Sequence, residues 1–479
     1  MTSPPLLEPP LRARRYRAPW AAAVVCLVAC HHNREADPAR HADGGTGPSI
    51  PRVSKVRPLI LRLASKDEKQ MRAARAELRT WKDAKAPSTS GAIELLRASA
   101  NVFPAEKPAE ALNYGIGNEI IEVVSETPRP EYAPVIEEIF PRLKGRSREQ
   151  ALSLLSIIDD DAAAASFVRL LTANADTVPG LSLLHLRERP HHAGVFFPGL
   201  LDLTTHHAIA DELYLTALEF CLQKKLTTEK LAPRASALVV AYRTERDWLL
   251  PRQQSRGIAW MWADQYPDHR QTAEILLDLA GFLPLAEVEK DLTGALGYRD
   301  PRLLYFALKA LLAHGRPLAT GAVATVAASP EVRNLLYDHL KDKDLTELMP
   351  ARYRTQAALA ESNMVRWLVY PTELGRAPDQ IELKKVLSID TESDDGILDY
   401  YLFRFRTLPP HWAAKDGWMA GVAGPFVRKE SPTTDSNGGT FSDFEPWASR
   451  TPAEHLGDVQ ELLEGWRQSR KESPATDDD

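Results

Sequence analysis

From Arg52 to about residue 364, apolar residues recur three or four positions apart, and this period governs what the chain can fold into. Side chains so spaced line one face of an α-helix. The runs are separated by short breaks carrying Pro, Gly or Asp, residues that cap helices or end them. The clearest unit runs from Leu285 to Gly315. A helix through Leu285, Val288, Leu292 and Ala295 breaks at Gly297-Tyr298-Arg299-Asp300, and a second begins at Pro301. Asp300 offers an acceptor to the free N–H groups of the new helix, and Pro301 lacks a donor that would otherwise be orphaned there. The second helix is expected to bury Leu304, Ala307, Leu308 and Leu311 and to stop at Gly315 and Pro317.

This helix pair, with Asp300-Pro301-Arg302 at the turn and Ala307-Leu308-Lys309-Ala310-Leu311 behind it, resembles a HEAT repeat. Weaker copies lie around Pro330-Glu331-Val332-Arg333 and at Asp159-Asp160-Asp161. Lys66 to Trp81 and Pro198 to Leu222 also read as helices or helix pairs. Because the spacing is irregular, residues 52–364 are expected to form either a HEAT-like α-solenoid or an irregular helical-repeat body. The resemblance implies a long surface for extended partners rather than a deep reaction chamber.

Composition changes near Trp367. Residues 365 to 447 hold 12 of the 36 aromatic residues, about twice their share by length, so a separately packed α+β domain is expected over 365–468. Ile381 to Ile389 reads as a strand. Leu398 to Thr407 alternates Tyr401, Phe403 and Phe405 against Tyr400, Leu402, Arg404 and Arg406, with Asp395-Gly396 suited to the hairpin between them. Gly417 to Phe426 offers a third strand whose glycines mark bulges or close contacts. Thr451 to Gln468 reads as a closing helix, and residues 469–479 as a disordered acidic tail. The stretches Trp367-Leu368-Val369-Tyr370-Pro371-Thr372-Glu373-Leu374-Gly375 and Gly417-Trp418-Met419-Ala420-Gly421-Val422-Ala423-Gly424-Pro425 look similar to the C-terminal region of uncharacterised bacterial HEAT-repeat proteins, a resemblance that implies no activity.

The start of the chain has a secretory order. Arg12, Arg14, Arg15 and Arg17 precede an apolar stretch, Ala18 to Ala29, too short for an ordinary spanning helix. It closes on Leu27-Val28-Ala29-Cys30, which resembles the lipobox of bacterial lipoproteins. That resemblance implies removal of residues 1–29 as a signal peptide and acylation of Cys30. The polar run that follows, with Cys30 taking residues 30–51, is expected to be a flexible tether holding the folded body off a membrane. His31, where the enterobacterial rule would place Asp for inner-membrane retention, points to an extracytoplasmic location at the outer membrane.

Four of the 59 basic and one of the 65 acidic residues fall within 1–29, so the mature chain carries 55 basic against 64 acidic residues, a formal charge of −9. Nucleic acid is excluded as an expected partner. With Cys26 removed and Cys30 acylated, Cys221 remains alone, so stability must come from packing. Cys221 lies on the stripe Tyr214, Ala217, Leu218, Cys221, Leu222 and reads as a buried apolar thiol, not a nucleophile.

No constellation forces one chemistry. Asp390, Glu392, Asp394 and Asp395 have the alternate oxygens of a calcium loop, but Gly396 comes one position late and Tyr401 stands where the bidentate Glu belongs. His191-His192 and His206-His207 are adjacent pairs, whereas two ligands on one helix need i, i+4 spacing, so no metal site is expected. Gly115-Ile116-Gly117 lacks the strand and third glycine of a dinucleotide site, and no cofactor is expected. The most suggestive group is Arg404, Arg406, His411, Trp412 and Trp418, with Lys415 and Asp416 between. Arg and Trp are frequent binding anchors, combining large contact area with directed donors.

The expected function is a membrane-anchored extracytoplasmic lipoprotein acting as a protein-binding or scaffold module for another envelope or secreted protein. Two alternatives accompany it: an immunity protein sequestering a delivered, basic toxin, and an envelope-polymer hydrolase with His411 and Asp416 as acid and base.

Overall fold

The computed structural model describes residues 56–461 except 82–86, 104–114, 179–180, 188–189, 205–208, 256, 264, 371–372, 391–395, 410–416, 437–439, 442–444 and 458. It is mostly helical, with one small antiparallel sheet near the C-terminal end. No helix among the described residues is long and apolar enough to cross a membrane. The chain divides into two compact units between Ala322 and Val323.

The first unit begins with seven helices: α1 (Val56–Leu63), α2 (Glu68–Thr80), α3 (Thr89–Asn101), α4 (Ile116–Ser125), α5 (Tyr132–Ile139), α6 (Arg146–Ile157) and α7 (Asp161–Asn174). From α1 to α5 each touches the helix two places on, and α1–α2, α3–α4, α5–α6 and α6–α7 touch as sequence neighbours. α1, α3, α5 and α7 thereby form one row, and α2, α4 and α6 another. The short helix Leu184–Arg187 packs between α6 and α8 (Ala210–Leu222), so the second row continues through the irregular stretch. It runs on into α10 (Tyr266–Ala280) and α12 (Pro301–Ala313), while α9 (Ala235–Arg252) packs on α11 (Leu285–Ala295).

Capping side chains set several of these helix starts. Asp67 accepts from Lys69 N and Gln70 N, and Asp160 from Ala163 N. Asp300 accepts from Arg302 N at 2.9 Å, with Pro301 at the first position, and Gly315 (φ +68°) follows the end of α12. As the period requires, Leu304, Ala307, Leu308 and Leu311 are buried. Each fully buried leucine of this kind contributes about 1.5–3 kcal/mol.

Ion pairs clip neighbours within a row. Arg75 on α2 meets Glu119 on α4, and Arg97 on α3 lies 3.0 Å from Glu138 on α5. Arg243 on α9 lies 2.8 Å from Asp291 on α11. On α12, Arg302 holds Glu274 of α10 with two bonds of 2.6 and 2.7 Å, and Lys309 Nζ lies 2.6 Å from Asp278 of the same helix. Asp291, Glu274 and Asp278 are buried, so leaving any of them unpaired would cost far more than breaking an exposed pair.

The second unit contains α14 (Arg333–Lys341), α15 (Gln356–Leu368) and a four-stranded sheet ordered β1 (Gln380–Asp390), β2 (Ile397–Arg406), β3 (Met419–Val427), β4 (Thr440–Phe441), with α13 (Thr320–Ala328) spanning the division. Tyr401, Phe403, Phe405, Met419, Ala423 and Phe426 pack against Ala360, Met364 and Leu368 of α15. On the opposite face, Leu398, Tyr400, Leu402, Ala420, Val422 and Val427 are covered by Leu456 and Val459 of the closing helical segment. Two covered faces explain why β2 is apolar on both sides at its start. Gly421 makes room for α15, since a Cβ there would meet Met364 Cε at 2.5 Å. Gly424, at φ +134°, lies where the β2–β3 register shifts. β1 is an edge strand, roughened by Lys384, Lys385 and a register shift between Leu383 and Lys385.

The division lies well before the expected boundary at 364/365. Aromatic composition marks where the strands begin, whereas packing assigns the preceding helices to the sheet. Gln356 exchanges two hydrogen bonds with Thr433, Asn363 Nδ2 donates to Thr434 O, and buried Arg333 ties Ala327 O to Ala358 O and Glu361.

Candidate functional site

Three of the five expected binding residues come together on the sheet. Arg404 and Arg406 are two apart on β2 and so share a face. Their Cζ atoms lie 4.3 and 4.6 Å from the centroid of the Trp418 ring. Each arginine is also held from β1 by the residue directly opposite it. Arg404 donates to Glu382 Oε2 at 2.8 and 3.0 Å, and Arg406 Nε donates to Gln380 Oε1 at 2.8 Å. Hydrogen bonds from Lys384 and then Arg404 hold the Glu382 carboxyl below the usual carboxylate range. Trp418 is half-buried, and its carbonyl accepts from Trp447 N at 2.9 Å, so its backbone is fixed. His411, Trp412, Lys415 and Asp416 lie outside the described residues, as do Cys30, the tether and the tail. The acid and base named for a hydrolase are therefore not placed.

A second aromatic site, not singled out from the sequence, lies in the helical unit. Trp248 on α9 stacks on His269 of α10, centroids 3.7 Å apart, while Arg252 Cζ sits 3.3 Å from the same indole centroid. Two planar groups so close must occupy opposite faces of the ring, so the indole is clamped between them. His269 is fixed in turn by Glu245, Nδ1 to Oε2 at 2.6 Å. Trp260 meets Tyr266 edge-on at 5.0 Å. Trp248, Arg252, Ser255, Trp260, Gln265 and Tyr266 line an open cleft of about 440 Å³, together with Ala263. Its floor is rigid. The buried Tyr266 hydroxyl donates to Asp300 Oδ2 at 3.1 Å and accepts from Gln253 Nε2 at 3.1 Å, and Gln253 Oε1 accepts from Arg299 N at 2.8 Å. One sequence signal pointed here: three of the ten tryptophans, Trp248, Trp260 and Trp262, fall within 15 positions.

The histidine pairs separate in their outcomes. His206 and His207 lie outside the described residues. His191 and His192 lie on a 3-10 turn (Pro190–His192), not on an α-helix, so i, i+4 spacing is not their constraint. Both turn toward Asp159, whose carboxyl their hydrogen bonds hold below the usual range, His191 contributing more than His192. Cys221 is buried on α8, and burial pushes its thiol up to about 12. That suits packing and removes the thiolate a nucleophile would need. Asp390 ends β1, while 391–395, the rest of the calcium-like run, lie outside the described residues.

Comparison of the chain with protein-family models, with curated proteins and with solved structures finds no match.

Proposed function

We propose that this chain is an extracytoplasmic lipoprotein, anchored through Cys30, whose helical body holds a segment of another envelope or secreted protein. The carrying observation is the cleft walled by Trp248, Trp260 and Tyr266 with Arg252 at its side. Trp, Tyr and Arg are the side chains over-represented at interface hot spots, where a rigid apolar surface meets directed donors. A volume of about 440 Å³ suits one large side chain or a short peptide stretch rather than a whole domain. The clamp on Trp248 and the hydrogen-bonded floor under Tyr266 pre-organise the walls, so binding costs little ordering. Arg252 favours a partner whose apolar side chain is followed or preceded by a carboxylate.

The two-row order of helices, with ion pairs repeated between row neighbours, supports reading the body as a HEAT-like α-solenoid. The Arg404–Trp418–Arg406 face is proposed as a further contact surface. A photoreactive residue at Gln265, which is exposed and lines the cleft, tests the proposal in the native host. Crosslinking to one discrete protein from Gln265, and not from exposed Lys225, is expected. The same crosslinks from both positions, or none from Gln265, would refute the cleft as the binding element.

A further inference from the structure

The 3-10 turn Pro190–His192 aims two imidazoles at one carboxylate oxygen. His191 Nε2 lies 2.5 Å and His192 Nε2 3.0 Å from Asp159 Oδ1, and donor atoms of the three residues all fall within 4.8 Å of one another. Adjacent residues diverge by about 100° on an α-helix and by about 120° on a 3-10 turn, so the convergence is made by the two side chains swinging to a carboxylate on another segment. His192 is the fixed member. Its side chain is 9% exposed, it meets Phe196 edge-on, and its Nδ1 lies 2.8 Å from Asp161 Oδ1. Asp159 and His191 are exposed, at 66% and 49%, so the open side of the trio faces solvent.

We propose that Asp159, His191 and His192 bind a divalent transition-metal ion of the zinc class. Two imidazole nitrogens and one carboxylate oxygen are a donor set that borderline-soft ions accept, whereas calcium and magnesium prefer oxygen alone. Tetrahedral bonds of about 2.0–2.1 Å set donors roughly 3.3 Å apart, so each imidazole nitrogen must draw back from Asp159 Oδ1 by less than about 1 Å. The exposed pair, Asp159 and His191, makes that adjustment while His192 stays in place. Asp161 supplies the outer carboxylate. By accepting Nδ1–H of His192 it fixes the tautomer whose Nε2 lone pair faces the ion. Both Nε2 atoms now face Asp159, so the ion takes the place of a bridging hydrogen: on a neutral ring that proton passes to Nδ1, and from an imidazolium it leaves to solvent. Three protein donors leave the fourth position to water or to a group on a bound partner. The site pins the 190–192 turn to the start of α7.

The test is calorimetric titration of chelator-stripped mature protein with zinc chloride, backed by cobalt(II) absorption. The expected result is saturable uptake of one ion per chain. Bound cobalt should give the intense visible bands of a four-coordinate site. His191→Ala, at an exposed position, should keep the circular dichroism spectrum and weaken zinc binding at least tenfold, and Asp159→Asn should act likewise. Asp161→Asn, which leaves all three ligands in place, should weaken it about 10- to 100-fold. Absence of saturable zinc uptake by the unsubstituted protein, or equal affinity in His191→Ala and Asp159→Asn, overturns the proposal.

Discussion

Arg404 stacks on Trp418, its guanidinium carbon 4.3 Å from the ring centroid, while the same guanidinium is bonded to Glu382 on the neighbouring strand. Strand order thus builds the contact, since Glu382 faces Arg404 across β1–β2 and Trp418 immediately precedes β3. Trp418 is half-buried, between the status of a free anchor and that of a core aromatic. Trp418→Ala should lower stability by about 1–2 kcal/mol, the cation–π contacts and part of the ring's burial. A loss of about 3–5 kcal/mol in chemical denaturation would mark it as core and remove it from the contact surface.

Ala307 is fully buried on α12, where α10 and α11 both pack. Ala307→Asp should cost more than about 3 kcal/mol, because it overfills the contact and buries an unpaired charge. A melting temperature close to that of the unsubstituted protein would show that this face of α12 is not the packed one.

Asp338 on α14 accepts from Thr434 Oγ1 at 2.6 Å, yet burial pushes its carboxyl up to about 6. A carboxyl raised in the folded state binds more protons there than in the unfolded chain between about pH 4 and 6, so its contribution to stability falls as pH rises through that window. Asp338→Asn should therefore stabilise the protein at pH 7, on the order of 1 kcal/mol after allowing for partial exposure, and have little effect near pH 4. Denaturation at both pH values checks it. A variant equally or less stable at pH 7 contradicts the sign.

Cys30→Ala should yield a protein without lipid, since the thiol is the group that takes the diacylglycerol in the lipobox reading. Mass analysis of the mature N-terminus decides the matter. An unmodified Cys30, or an intact 1–29 segment, in protein from the native host would contradict the anchoring.

The helix pair 285–313 was legible because its signals are local: period, cap residue and stop all lie within the pair. The three main strands were legible for the same reason, from alternation and turn residues. The boundary between units was not, because an apolar stripe on α15 states that a partner exists without naming it. The partner is the sheet, through Met364 and Phe405. The convergence of His191 and His192 on Asp159 spans more than 30 residues, so no spacing rule applied within one local segment could show it. The Trp248 cleft was only half visible. Clustered tryptophans showed in the sequence, but the stacking of Arg252 and His269 on one indole needed α9 and α10 side by side.

The proposed binding of a protein segment in the Trp248 cleft is checked by Arg252→Glu, because Arg252 is exposed and its reversal leaves the core intact. Mature protein with and without this substitution would be used side by side to capture partners from the native envelope, with thermal melts run in parallel. The account predicts melting that agrees within about 2 °C, on the order of 1–2 kcal/mol for a chain of this size and enough to cover the lost stacking on Trp248. It also predicts at least a tenfold loss of one retained protein, about 1.4 kcal/mol of binding. Retention of the same proteins at the same level by both forms would contradict it.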